Sequence, residues 1–73
     1  MSIEIKSQMT GSVWKVEVQV GQEVAEDQEV VILESMKMEV PILAQEEGIV
    51  TEVLIKEGDF VSEGDVVVII KEI

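Results

Sequence analysis

Lys37 stands in the run Glu34-Ser35-Met36-Lys37-Met38-Glu39 and is the one lysine of five with a methionine on each side. An unprotonated lysine amine is a nucleophile, and attack on an activated acyl adenylate would leave it as an amide. The rest of the chain offers little catalysis of its own. It has no histidine and no cysteine, so the commonest general base and the thiolate metal ligand are both missing. The carboxylates show no calcium-loop spacing and the glycines no phosphate-loop spacing. An acyl group would therefore be delivered by another enzyme, which supplies the base and the orientation. The competing interpretation is plain: Lys37 is a solvated turn residue, and Met36 and Met38 fill gaps in the core, as methionines commonly do.

The segments around Lys37 decide how it is held. Val30 to Leu33 is an unbroken apolar run, and Met38-Glu39-Val40-Pro41-Ile42 follows the lysine with strand character. Strand pattern on both sides leaves room for a two-residue hairpin turn at Met36-Lys37. Such turns favour positive φ and are normally served by Asn-Gly or Asp-Gly. Met and Lys in those places go against local preference, which is more often a mark of function than of accident. Pro41 lacks a backbone donor, so its strand should be an edge or should bend there.

The chain also repeats itself. Shifted by 37 positions, its two halves align without a gap: Gly11 on Gly48, Val13 on Val50, Val16 on Val53, Gly21 on Gly58, Val24 on Val61, Val30 on Val67 and Ile32 on Ile69. Each copy reads as short strands. Val16, Val18 and Val20 alternate with polar residues as in a strand with one wet face. Gly21, Gly48, Gly58 and Gly64 read as turn residues, and Asp27 stands opposite Gly64 at a position where both tolerate a left-handed backbone. The apolar runs Val30 to Leu33 and Val66 to Ile70 suit central strands between packed sheets. No stretch carries a sustained helical period. Residues 1–73 are expected to form a single all-β domain: a flattened barrel or sandwich of two four-stranded antiparallel sheets with quasi-two-fold symmetry. Lys37 has no counterpart in the repeat, because the shift carries it just beyond the chain. Its hairpin should lie opposite the place where the chain ends meet.

Composition narrows the partners. Sixteen acidic residues against five lysines and no arginine give a net charge of −11. Nucleic acid and anionic membranes are disfavoured; a solvated exterior is the simple account of the excess, and steering toward a basic cleft is the other. The longest apolar run falls far short of the roughly 18 residues a helical span needs, and a cytoplasmic location is expected. The chain reads as a complete small protein, although an excised domain would look the same. A domain of this size buries only about 60% of its unfolded surface, so stability of about 5 kcal/mol is expected. Trp14 reads as core or sheet-face packing, with a partner contact as the alternative.

Glu34-Ser35-Met36-Lys37-Met38-Glu39 resembles the biotinylation motif of biotin carboxyl carrier proteins, usually written E-A-M-K-M. Gln8-Met9-Thr10-Gly11 resembles the P-M-x-G of that family, Glu46-Glu47-Gly48-Ile49-Val50 its D-x-x-G-x-V, and Glu57-Gly58-Asp59 with Glu63-Gly64-Asp65 its paired glycine turns. Ser35 stands where Ala is usual and Gln8 where Pro is usual. No room exists between Val13 and Val20 for the extra thumb loop of some carriers, so the chain is similar to the short thumbless attachment proteins. The resemblance implies the biotinyl/lipoyl hammerhead fold and biotin bound covalently to Lys37. It further implies Met36 and Met38 as flanking recognition residues, with Glu34, Ser35 and Glu39 as motif context, and no metal. It implies loading by a biotin protein ligase and then a cycle, in which the domain carries carboxybiotin from a biotin carboxylase to a carboxyltransferase. The domain would be a non-catalytic carrier, monomeric in isolation. Lipoate, alone or beside biotin, is the alternative cargo; lipoyl domains typically place Asp before the lysine and Ala or Val after it, unlike Met36 and Met38. A structural hairpin module of the membrane-fusion type normally lacks the lysine, and an enzyme in its own right would need the missing nucleophile–base pair.

Overall fold

A computed structural model describes residues 2–73. Eight strands follow one another: β1 (Ser2–Lys6), β2 (Gly11–Val16), β3 (Glu23–Val24), β4 (Glu29–Ser35), β5 (Met38–Leu43), β6 (Gly48–Val53), β7 (Phe60–Val61) and β8 (Val66–Glu72). No helix occurs among the described residues. The strands form two four-stranded antiparallel sheets, ordered β1-β8-β6-β3 and β5-β4-β2-β7. Moving each strand of the first sheet to its partner in the other copy converts the first order into the second. The two sheets are therefore equivalent, and each takes two strands from either half of the chain. Neither copy could close its own sheet.

The ladders break at equivalent places. Val13 faces Leu33 and Lys15 faces Ile32, leaving Trp14 unmatched; Val50 faces Ile70 and Glu52 faces Ile69, leaving Thr51 unmatched. Val30 and Val67 are skipped in the same way. Each bulge bends its strand and sharpens the local twist, which lets two small sheets wrap around one core. That core is aliphatic and repeats with the chain: Val13 with Val50, Val24 with Val61, Val30 with Val67, Val31 with Val68, Leu33 with Ile70 and Ile5 with Ile42, all buried. Burying each such side chain contributes about 1.5–3 kcal/mol.

Four tight turns close the ends. The amides of Gln22, Gln28, Asp59 and Asp65 donate to the carbonyls of Gln19, Ala25, Lys56 and Ser62 at 3.0–3.1 Å. The third residue of each turn, Gly21, Asp27, Gly58 or Gly64, has φ between 68° and 94°, as a type II turn requires. The last residue then reaches back with its side chain. Gln22 and Gln28 accept from the amides of Gln19 and Ala25; Asp59 and Asp65 accept from those of Lys56 and Ser62. Glutamine in one copy and aspartate in the other satisfy the same backbone donor.

Several expectations need correction. The strand expected through Val16, Val18 and Val20 ends at Val16; Val18 is buried beyond it, and Val20 is an exposed turn residue. Gly48 is not a turn residue. It lies buried in β6, where an added Cβ would stand 2.5 Å from the Lys71 carbonyl oxygen, so its task is close approach. Of the two packings expected for Trp14, core and sheet face, the core is excluded: it lies on the outer face of its sheet, 44% exposed. The interior strands β4 and β8 are covered on one face only, since Ile32 and Ile69 remain half-exposed on the outer face. Pro41 sits on the edge strand β5, as its missing donor requires.

Candidate functional site

β4 and β5 pair from Glu29–Leu43 up to Ser35–Met38, which leaves two residues to reverse the chain. Met36 and Lys37 do so with φ of 52° and 66°, the left-handed pair of a type I′ turn, whose twist matches that of the flanking strands. Side chains with a Cβ pay about 1–2 kcal/mol each for that conformation. The cost is carried by the paired ladder beneath, which fixes the register and allows no longer loop.

The turn puts its side chains into solvent. Met36 is 92% exposed, Met38 65% exposed, and Lys37 is exposed between them. Met9, by contrast, is half-buried and packed against the core. The core-filler interpretation of Met36 and Met38 is therefore excluded. Among the described residues the one ion pair joins Lys6 to Glu4 at 4.0 Å, and Lys15 holds its ammonium 5.4 Å above the Trp14 ring. Lys37 makes neither kind of contact. Its amine is free to be presented elsewhere, which suits an acceptor whose chemistry is run by another protein.

The root of the hairpin is braced from β2. Gly11 packs so closely on β4 that a Cβ there would stand 2.8 Å from the Glu34 carbonyl oxygen and 3.5 Å from the Ser35 Cβ. Ser35 is correspondingly half-buried, while Glu34 and Glu39 are exposed and face each other directly across the ladder. Like charges in that position destabilise a pair. The tip thus carries two local penalties, one steric and one electrostatic. All six residues expected at the site are brought together at the β4–β5 hairpin. Gly11 was missed as part of it, because the sequence shows a repeated glycine but not the strand it must approach. No group of three or more potential metal ligands comes together among the described residues.

The hairpin side also differs from its counterpart in the other copy. The register runs Phe60–Ser12–Glu34–Glu39 across one sheet and Glu23–Ile49–Lys71–Ser2 across the other. Comparing the two copies position by position, rather than counting their matches, would have exposed the substitution of Phe60 for Glu23.

Comparison with known proteins places this architecture. A family described as a biotin-requiring enzyme matches residues 3–70. The chain is similar to the biotin/lipoyl attachment protein of Bacillus subtilis (strain 168), 60% identical over 62 residues that span 85% of either chain. It is also similar to the biotinylated protein TB7.3 homolog of Mycobacterium leprae (strain TN), 37% identical over 96% of this chain and 99% of that one. Among solved structures, the urea carboxylase of Kluyveromyces lactis contains a region that superposes with a TM-score of 0.92 at 37% identity. That region covers 97% of this chain, which spans only 6% of the enzyme. The chain belongs to the biotin/lipoyl attachment family, and its match to a family described as biotin-requiring implies covalently bound biotin as its cofactor.

Proposed function

We propose that Lys37 is the point of covalent attachment of biotin, and that the domain carries this biotin between the carboxylating and carboxyl-transferring sites of a biotin-dependent carboxylase. The observation that carries the proposal is the two-residue turn itself. It holds Lys37 in a left-handed conformation between two exposed thioethers, at the one point of the repeat that has no counterpart.

The residues present suit that group. The ε-amine attacks the acyl carbon of a biotinyl adenylate: a C–N bond forms, the bond to the phosphate oxygen breaks, adenylate leaves, and the amine proton passes to a base on the loading enzyme. The thioethers of Met36 and Met38 are flexible apolar groups that can pack against that enzyme around the lysine. Attached biotin supplies a ureido nitrogen that accepts a carboxyl group at one site and releases it at another. The hairpin contributes a rigid support with a short flexible arm, which replaces diffusion by a high effective concentration. Partners of this kind are consistent with relatives such as the pyruvate carboxylase of Staphylococcus aureus (strain Mu50 / ATCC 700699), 40% identical over 68 residues that make up 6% of that enzyme. Met36 and Met38 resemble the biotinylation motif rather than the Asp and the Ala or Val that flank the lysine of lipoyl domains, which favours biotin over lipoate as the cargo.

Intact mass after incubation with biotin protein ligase, biotin and ATP tests the proposal. One biotinyl adduct is expected, with the net charge one unit more negative than −11, and none on Lys37→Ala. An adduct that survives Lys37→Ala would place the acceptor elsewhere, and an adduct of lipoyl mass from cells offering both cofactors would change the cargo.

A further inference from the structure

The protein has two aromatic residues, Trp14 and Phe60, and its core uses neither. A domain short of buried area would ordinarily spend such side chains inside, where each covers more surface than any aliphatic one. Here Phe60 is 71% exposed and Trp14 44% exposed. Both lie on the outer face of the sheet that carries the Lys37 hairpin. Phe60 faces Ser12 across the ladder, and Ser12 faces Glu34. Trp14 occupies the bulge between inward Val13 and inward Val16, so it and Lys15 both point outward, the lysine lying over the indole. The other sheet puts Glu23 where Phe60 stands and Thr51 where Trp14 stands. In a protein that otherwise repeats its core side chains across the two halves, this is a one-sided departure.

We infer that the Phe60–Trp14 face is the docking surface for the enzyme that acylates Lys37, which binds it with an apolar patch rimmed by basic side chains. The inference rests on Lys37 as the biotin acceptor. Two observations point to this occupant. Phe60 shares one ladder row with Ser12, Glu34 and Glu39, the last two being the exposed carboxylates at the foot of the hairpin, and a domain of charge −11 favours a basic complement. The loading step also acts on a bare lysine. Later steps can grip the attached ring, whereas the loading enzyme has only the protein surface by which to tell Lys37 from other lysines. Exposed aromatic anchors beside a charged rim are the residue types that carry binding energy in such contacts.

Steady-state loading by biotin protein ligase, with apo protein as the varied substrate, tests the assignment. Phe60→Ser should lower kcat/KM about tenfold, mostly through KM, and Trp14→Ser several-fold. Ile49→Ser, on the outer face of the other sheet, should load as the wild type does. Thermal midpoints report whether each variant is folded; Phe60, largely exposed on a two-residue edge strand, should lose little. Added salt should weaken loading of the wild type more than of Glu39→Gln. Folded Phe60→Ser and Trp14→Ser proteins loading like the wild type would overturn the inference, as would an equal loss in Ile49→Ser. It would also fail if loading were unchanged but carboxylation of the loaded protein fell, since the face would then serve the carboxylase. Wild-type protein left unloaded at Lys37 would instead remove the acceptor assignment beneath it.

Discussion

The β4–β5 tip and the outer ends of β1 and β8 are equivalent places in a doubled structure: Glu39 faces Glu34 at one, Ser2 faces Lys71 at the other. Their backbones enter the ladder alike, yet one must be closed by peptide and the other need not be. Closure falls on the junction between the two copies, where paired strands in fixed register leave two residues to make the turn. A doubled fold therefore produces one, and only one, short strained tip of this kind, and the candidate acceptor occupies it. The surroundings differ in the same sense. The tip end carries like charges across the ladder and an aromatic residue in the same row, while the other end carries a lysine and a serine.

The largest effect should come from breaking the tip chemically. Lys37→Ala should abolish the adduct seen by intact mass, whereas Lys71→Ala, at the equivalent end of the other sheet, should leave it complete. Next in size are the two glycines that let strands approach. Gly48→Ala should cost about 3 kcal/mol and Gly11→Ala about 2 kcal/mol in urea unfolding, because the new Cβ meets backbone oxygen at 2.5 Å in one case and 2.8 Å in the other. Gly11→Ala should also slow loading, since the oxygen it strikes belongs to Glu34 at the root of the hairpin, while Gly48→Ala strikes the opposite end. Relaxing the turn should do the reverse to stability. Met36→Asn, which suits positive φ, should raise stability by about 0.5–1 kcal/mol while reducing the ligase's kcat/KM. Smallest of all, Glu39→Gln removes the like-charge pair and should raise the thermal midpoint slightly, an increase that disappears in high salt.

Much of the site was legible in the chain. A two-residue turn at Met36-Lys37 could be read because the flanking strands are apolar and hairpin geometry is local; the φ values bear it out. The left-handed positions at Asp27 and Gly64 were readable for the same reason. Val20 misled, because an alternating valine pattern continues past Val16 into a turn, and periodicity cannot say where a ladder loses its partner. Trp14 suited either the core or a sheet face, and only the bulge opposite Leu33 and Ile32 decides for the outer face of the sheet.

The sequence by itself determined the duplication, the turn chemistry and the unpaired position of Lys37, since each depends on residues close in the chain or on one regular spacing. Tertiary structure alone decided that each sheet would draw strands from both copies, that Gly11 and Gly48 would be needed for contact rather than for turning, and that both aromatic residues would face solvent on the sheet that carries Lys37. Those outcomes depend on which distant strand lies alongside and at what register. The repeat constrains that pairing by symmetry, but the backbone contacts across the two sheets are what select it.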